Sequence, residues 1–129
     1  MKNALTFITV GLALLVLAGP VQADVTLQVW ECELDNDATR ANLDELSKAW
    51  ADAARTIQGA EEMKVYLNYP ISGEGGDGEF LFIMVMPSAT AWGMFEDGYP
   101  GSEAAKVDEK WGEIASCEES SLWSSVAMQ

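Results

Sequence analysis

Few side chains in this sequence could act as catalytic groups or metal ligands, and the absence of His reduces the possible mechanisms further. The 129 residues include no His, so the commonest general base, metal ligand and proximal haem ligand is missing. Nucleophile arrangements that pair Ser or Cys with His are therefore excluded. Because no cofactor-binding fingerprint is present either, the sequence assigns no catalytic residue, no cofactor and no metal.

Acidic side chains offer two candidate sites, and each has a simpler explanation. Glu31 and Glu33 are two residues apart, so on a strand their carboxyls share one face at a distance suited to acid–base work. The glycine-rich stretch and the residue after it supply Glu74, Asp77 and Glu79, which would repel a phosphate but could coordinate Ca²⁺. That stretch lacks the EF-hand spacing. We interpret the two sets as a solvated strand end and a hairpin turn.

Aromatic side chains are the remaining chemical signal, with five Trp, three Tyr and four Phe in the chain. Trp50 and Trp111 fall at helical spacing among apolar residues, and core packing explains them. Six other rings and one amide could line a space between sheet and helices that holds a small, mostly apolar ligand. Plain packing is the alternative. The predicted ligand-binding residues are Trp30, Tyr66, Asn68, Tyr69, Trp92, Phe95 and Trp123.

The N-terminal residues have the three parts of a secretory signal peptide. A short basic start, an apolar run at residues 4–18 and the helix-breaking pair Gly19-Pro20 precede Ala23. We predict cleavage after Ala23, with an uncleaved membrane anchor as the alternative. The mature chain at residues 24–129 is then a single domain that is secreted or periplasmic and no longer attached to the membrane.

The charge balance excludes two classes of partner. Lys2 is the only charged residue before the predicted cleavage site, so the net charge of −14 for the whole chain becomes −15 after cleavage. Nucleic acids and anionic lipid surfaces bind proteins through Lys and Arg, and we expect neither as a partner. We interpret the acidity as a solubility adaptation of an exported protein rather than as a cation-binding feature.

A central strand is the element around which the domain is predicted to form. Residues 80–86 are apolar without a break, which is typical of a strand buried on both faces. Side chains alternate along a strand, so Phe82 and its even-numbered neighbours would face one way and Ile83 and its odd-numbered neighbours the other. Both faces need a cover. Where the helices of the chain cover one face, a partner subunit is expected to cover the other.

The remaining elements follow from periodicity, capping residues and turn signals. Residues 35–37 offer side-chain oxygens for a helix N-cap, and Gly59 is expected to end that helix. Pro70 cannot donate a ladder hydrogen bond, so the second strand lies at an edge or ends there. The predicted order is a strand at 25–34, a helix, a strand at 63–71, the central strand, a short helix capped by Ser88 or Thr90 that leads into a longer one at 102–115, and a strand at 121–128.

This order of strand, helix, strand, strand, helix, strand is that of the ferredoxin-like α+β fold, with two helices on one face of a four-stranded antiparallel sheet. With its two-sided apolar central strand, the chain resembles the dimeric α/β-barrel superfamily. That superfamily includes antibiotic-biosynthesis-type monooxygenases, haem-degrading enzymes and stress-responsive barrel proteins. The resemblance implies a homodimer formed through the open sheet face. Its haem-binding branches commonly use an axial His, which this chain lacks.

The positions of the two cysteines provide a second test of the predicted ferredoxin-like fold. Cys32 lies at the end of the first strand and Cys117 at the start of the fourth, and these strands are antiparallel neighbours in a ferredoxin-like sheet. We therefore predict a disulfide between them in an oxidising compartment. Two buried free thiols or a redox pair are the alternatives, and the sequence has no Cys-x-x-Cys spacing to support the latter.

Two functional hypotheses of different class remain. The first is a non-catalytic exported homodimer that binds a small apolar or aromatic ligand or an envelope partner. The second is a cofactor-free monooxygenase or isomerase of the barrel type, in which aromatic walls hold a substrate that activates itself. The absence of His and of any cofactor fingerprint favours the first.

Overall fold

A computed structural model describes residues 24–73 and 76–128. The predicted signal peptide at residues 1–23 lies outside the described residues, as does Glu74 of the acidic turn. Within the described ranges, every helix is too short or too polar to cross a membrane.

The described residues form one four-stranded antiparallel sheet with three helices and a 3₁₀ turn. Strand order across the sheet is β2-β3-β1-β4, which confirms the predicted ferredoxin-like α+β fold. The elements are β1 (Val25–Leu34), α1 (Arg40–Ala54), β2 (Lys64–Asn68), β3 (Glu79–Met86), α2 (Ala89–Gly98), α3 (Glu103–Asp108), the 3₁₀ turn (Trp111–Glu113) and β4 (Ala115–Ser125).

The side chains of strand β3 alternate between the two faces of the sheet as predicted, but only one face is buried within the chain, whereas the unbroken apolar run predicts burial on both. Phe82 and Met84 are buried, whereas Ile83 between them is only half-buried. We call the side that bears Phe82 the helix face, because the helices pack there, and the opposite side the open face. Strand β1 alternates in the same way, with Trp30 on the helix face and Val29 on the open face.

The core lies between the helix face and α1. Phe82 is at its centre, with the indole rings of Trp30, Trp50 and Trp111 at centroid distances of 5.5, 5.4 and 5.1 Å. All three pairs are edge-to-face, the arrangement that the charge distribution of aromatic rings favours. Aromatic side chains from β1, α1 and the 3₁₀ turn thus all contact the phenyl ring of Phe82 on the central strand.

Helix α1 starts later and ends earlier than predicted. Its N-cap is Thr39 rather than one of residues 35–37, because Thr39 and Asn42 form a capping box. The Thr39 hydroxyl accepts from the Asn42 backbone N–H at 3.2 Å, and the Asn42 side-chain oxygen accepts from the Thr39 N–H at 3.0 Å. The helix ends at Ala54, and Gly59, with φ of 93°, belongs to the turns that follow.

The prediction of one helix over residues 102–115 is wrong. Ser102 caps α3 as expected, but α3 ends at Asp108, and β4 begins at Ala115 instead of residue 121. Strand β4 pairs with β1 along its whole length, so its backbone groups that face β1 are paired in the sheet instead of in a prolonged helix. Strand β2 is also shorter than predicted and ends at Asn68.

The predicted disulfide between Cys32 and Cys117 is confirmed. The two residues face each other in the β1–β4 register, and their Cα atoms are 4.0 Å apart. A register shift between Glu31 and Cys32 interrupts the ladder beside the bond. These are the only two cysteines of the chain.

Candidate ligand-binding cavity

A partly open cavity of about 290 Å³ lies on the helix face, between the sheet and the segment from α2 to the 3₁₀ turn. Aromatic rings form most of its wall, and one half of the disulfide, Cys117, also lines it. Polar atoms come from Gln28, Glu96 and Asp108 in addition to a tyrosine hydroxyl. The aromatic lining consists of Trp30, Trp50, Phe82, Phe95, Tyr99 and Trp111.

Local structure explains how residues from several of the seven lining elements reach this cavity. Trp30 and Phe82 are cross-strand partners on the helix face, so their side chains project to the same side. Phe95 and Tyr99 are four residues apart on α2 and its C-cap, and their ring centroids are 5.3 Å apart. Trp111 reaches the cavity because the chain turns after α3.

The Tyr99 hydroxyl is the most perturbed polar group of the cavity. It accepts a hydrogen bond from the Trp50 indole N–H at 3.0 Å. Burial raises the pKa of Tyr99 from its ordinary value of 10.0 to about 12; the negative charges of Asp108 and Glu96 add to this effect, and the hydrogen bond from Trp50 opposes it. Tyr99 is therefore a neutral phenol at physiological pH, with one carboxylate from α2 and one from α3 near it.

Two further polar side chains complete the wall. Although Glu96 as a residue is exposed, partial burial of its carboxyl raises its pKa above the usual range. The Gln28 side-chain oxygen accepts a hydrogen bond from the Trp92 indole N–H at 2.9 Å. The hydrogen bond from Trp92 thus fixes the orientation of the Gln28 side chain, although Trp92 does not itself line the cavity.

The structure separates the seven predicted ligand-binding residues into three groups. Trp30 and Phe95 line the cavity, and Trp92 supports it. Tyr69 is on the helix face but elsewhere, with the Arg40 guanidinium 4.1 Å from its ring centroid. Burial raises the pKa of Tyr69.

Tyr66, Asn68 and Trp123 do not share this space, which corrects the prediction of a single site. Their cross-strand partners are all on the open face: Tyr66 pairs with Ile83, Asn68 with Leu81 and Trp123 with Leu27. Because directly paired residues project to the same side of a sheet, all three side chains point away from the helices.

Several residues that line the cavity are not among the predicted ligand-binding residues. Trp50 and Trp111 are predicted to be core residues, and no role is predicted for Tyr99. The spacing of Phe95 and Tyr99 was a usable signal, because residues four apart share a helix face. Nothing in the local sequence indicates that Asp108 meets them, since its position depends on the packing of α3.

A larger groove of about 680 Å³ lies at one end of the sheet, but its lining is acidic. It contains the Glu31 and Glu33 pair as well as Glu79, Glu118 and Glu119. In the part of the chain that the structure describes, no group of three or more Asp, Glu, Cys or His residues is arranged to hold a metal ion. The groove is the solvated strand end that the sequence indicates, and the aromatic cavity is the candidate site.

Comparison with known proteins supports the fold. No protein-family model matches the chain, and no curated protein matches it. Among solved structures, the chain is similar to the crystal structure of SnoaB, described as a cofactor-independent oxygenase from Streptomyces nogalater, with a TM-score of 0.56 and 15% sequence identity. The match covers 83% of this chain and 96% of that chain. At this identity, the similarity shows a shared ferredoxin-like fold and nothing further.

Proposed function

We propose that this chain is an exported protein that binds a small, flat, mostly apolar molecule in the aromatic cavity. The proposal rests on one observation: six aromatic rings line a cavity of about 290 Å³. Ligand pockets usually measure about 300–1,000 Å³ and combine apolar walls with a few polar groups. A cavity at the lower end of that range suits a molecule of one or two rings.

The arrangement is more than core packing. The cavity is partly open, so part of its aromatic wall borders solvent instead of other side chains. Trp30 and Trp111 are only half-buried, which leaves indole surface for a ligand to cover. The hydrogen bonds that hold Tyr99 and Gln28 orient polar atoms on the same wall.

Thermal shift and Trp fluorescence with a panel of one- and two-ring compounds would test the proposal. A compound that occupies the cavity raises the unfolding temperature, because it binds only the folded state. We expect Trp30→Leu to weaken the binding by about tenfold, since most of an aromatic contact is lost. Trp123→Leu is the matched control, because it removes an indole from the open face. Equal affinity of the two variants, or a panel without any binder, would contradict the proposal.

A second candidate is oxygenation without a cofactor, because SnoaB, which has a similar fold, is described as a cofactor-independent oxygenase. In such a reaction, an electron-rich phenol loses a proton and transfers electrons to O₂. The substrate then loses two hydrogens and gains one oxygen atom, and the second oxygen atom leaves as water. Glu96 lines the cavity and has a raised pKa, which suits a proton acceptor.

Oxygen uptake separates this candidate from simple binding. Incubation with dihydroxynaphthalenes should consume O₂ above the rate without protein, and Glu96→Gln should reduce that rate. Glu109→Gln is the control, because Glu109 lies outside the cavity. Uptake equal to the background would exclude oxygenation of these compounds and leave the binding proposal in place.

We also propose that the open face packs against a second copy of the chain. The face carries a row of Val85, Leu27 and Trp123 and a row of Tyr66, Ile83 and Val29. Trp123 is 59% exposed and Tyr66 is 49% exposed. Lys64 and Ser121 flank these two rows, and an apolar patch with a polar rim is typical of an interface rather than of a solvated sheet.

Sedimentation tests the homodimer directly. We expect the wild-type protein to sediment at twice the mass of the mature chain, and Ile83→Glu to sediment as a monomer, because a charge at the centre of the interface is costly to bury. Ala49→Glu is the control, since Ala49 is exposed on α1. A folded wild-type monomer at high concentration would refute the proposal.

A further inference from the structure

The charges around the aromatic cavity are all of one sign. Glu96 and Asp108 line it, whereas none of its lining residues is Lys or Arg. The salt bridges found in the described part of the chain use Asp52 and Glu103 as their acidic partners. Neither cavity carboxylate is therefore neutralised by an ion pair within the described residues.

The two carboxylates line the same cavity and lie near the same polar group. Glu96 is on α2 and Asp108 is the last residue of α3, yet the negative charge of each acts on the Tyr99 hydroxyl. Two like charges that converge on one neutral group repel each other and are more favourable when a positive charge lies between them. Both residues are exposed and lie at the rim of the cavity.

The aromatic walls favour the same kind of ligand. The faces of aromatic rings carry partial negative charge and attract organic cations, and Trp is the strongest of the aromatic side chains in this respect. Three indole rings, from Trp30, Trp50 and Trp111, line this cavity. Rings that surround a cation, with carboxylates at the rim, form the kind of cage that recognises ammonium groups with alkyl or aryl substituents.

We infer that the cavity selects organic cations, in particular aromatic ammonium compounds of one ring, over neutral molecules of the same shape. This inference rests on the proposed ligand-binding function and names the chemical class of the ligand. The same charges would exclude carboxylates and phosphates.

Two probes of equal shape and different charge test the inference. Phenyltrimethylammonium and tert-butylbenzene differ only in whether nitrogen or carbon carries the three methyl groups. We expect calorimetry on the wild-type protein to give at least about tenfold tighter binding of the cation, in keeping with cation–π and carboxylate contacts.

Charge-neutral variants locate the origin of the preference. The double variant Glu96→Gln, Asp108→Asn should lose about tenfold in affinity for phenyltrimethylammonium and keep its affinity for tert-butylbenzene. The matched control is Glu109→Gln, Asp97→Asn, which changes the total charge equally at residues that do not line the cavity. Its affinity for both probes should equal that of the wild-type protein.

Each outcome has a definite meaning. Equal affinity for the two probes, or tighter binding of tert-butylbenzene, would overturn the selection of cations and leave the ligand-binding proposal intact. Loss of the preference in the control variant as well would place its origin in the total charge and also overturn the inference. Binding of neither probe would overturn the inference and count against the proposed function itself.

Discussion

The disulfide between Cys32 and Cys117 is expected to provide a large share of the stability of this domain. It joins residues separated by 85 positions, and a loop of that length loses much conformational entropy in the unfolded state when it is closed. In the chain-entropy model, the loss corresponds to about 4.5 kcal/mol at 25 °C. Small domains are stable by about 5–15 kcal/mol in total, so the domain without its disulfide is expected to be marginally stable.

The perturbation that isolates this effect is the double variant Cys32→Ala, Cys117→Ala. Both cysteines must be replaced, because Cys32 is buried and a single substitution would leave a free thiol in the core. Equilibrium unfolding in urea, followed by Trp fluorescence, measures the change in the free energy of unfolding. With a slope of about 1–3 kcal/mol per molar urea, the midpoint should fall by about 1.5–4.5 M.

Thiol reductant provides the control. Reduced wild-type protein should unfold near the midpoint of the double variant, and reductant should leave the variant unchanged. Denatured wild-type protein without reductant should show no free thiol. Equal midpoints for the oxidised wild-type protein and the variant would refute the reasoning, because a bond that closes this loop must destabilise the unfolded chain.

Two further predictions concern Tyr99 and Gly59. The raised pKa of Tyr99 means that folding favours the neutral phenol, so its contribution to stability is complete below pH 10 and is lost as the pH rises towards 12. Wild-type protein should therefore lose more stability than Tyr99→Phe between these pH values in urea titrations, and parallel losses would contradict this. Gly59→Ala should destabilise by about 1–3 kcal/mol or more, because φ is +93° and a Cβ would lie 2.5 Å from the Ala91 carbonyl oxygen. Gly73→Ala is its control, with φ of +107° but no atom of the described residues, its chain neighbours aside, within 4 Å of the added Cβ. A loss of thermal stability equal to that of Gly59→Ala would show that the positive φ alone accounts for the destabilisation.

Strand predictions succeeded where the pattern was local. The bounds of β1 at Val25–Leu34 agree with the prediction, and the alternation of β3 correctly separates Phe82 from Ile83. Side chains alternate between the two faces of a strand, so the apolar residues that pack on one face recur at every second position whatever strand lies beside it. The disulfide was predictable for a related reason, since strand order alone brings Cys32 beside Cys117.

Predictions failed where two elements competed for the same residues. Trp111 and Ile114 continue the helical spacing of α3, so the sequence favours a longer helix. The chain instead turns after Asp108, and β4 extends towards its N-terminus to pair with β1. The energy of that pairing depends on a strand at the other end of the chain, which helical periodicity does not reflect.

By itself, the sequence determined the fold class, the central strand and the cysteine pair, because these depend on periodicity, capping residues and the order of elements. The candidate site was decided by tertiary structure. Trp50 and Tyr99 are 49 residues apart in the sequence and meet through a hydrogen bond and a contact between their rings, and Asp108 lines the same cavity from the end of α3. Likewise, Trp123 lies on the open face because of the β1–β4 register. A cavity is formed by the relative placement of whole elements, and the free energy of that placement is the sum of many contacts between residues that are distant in sequence.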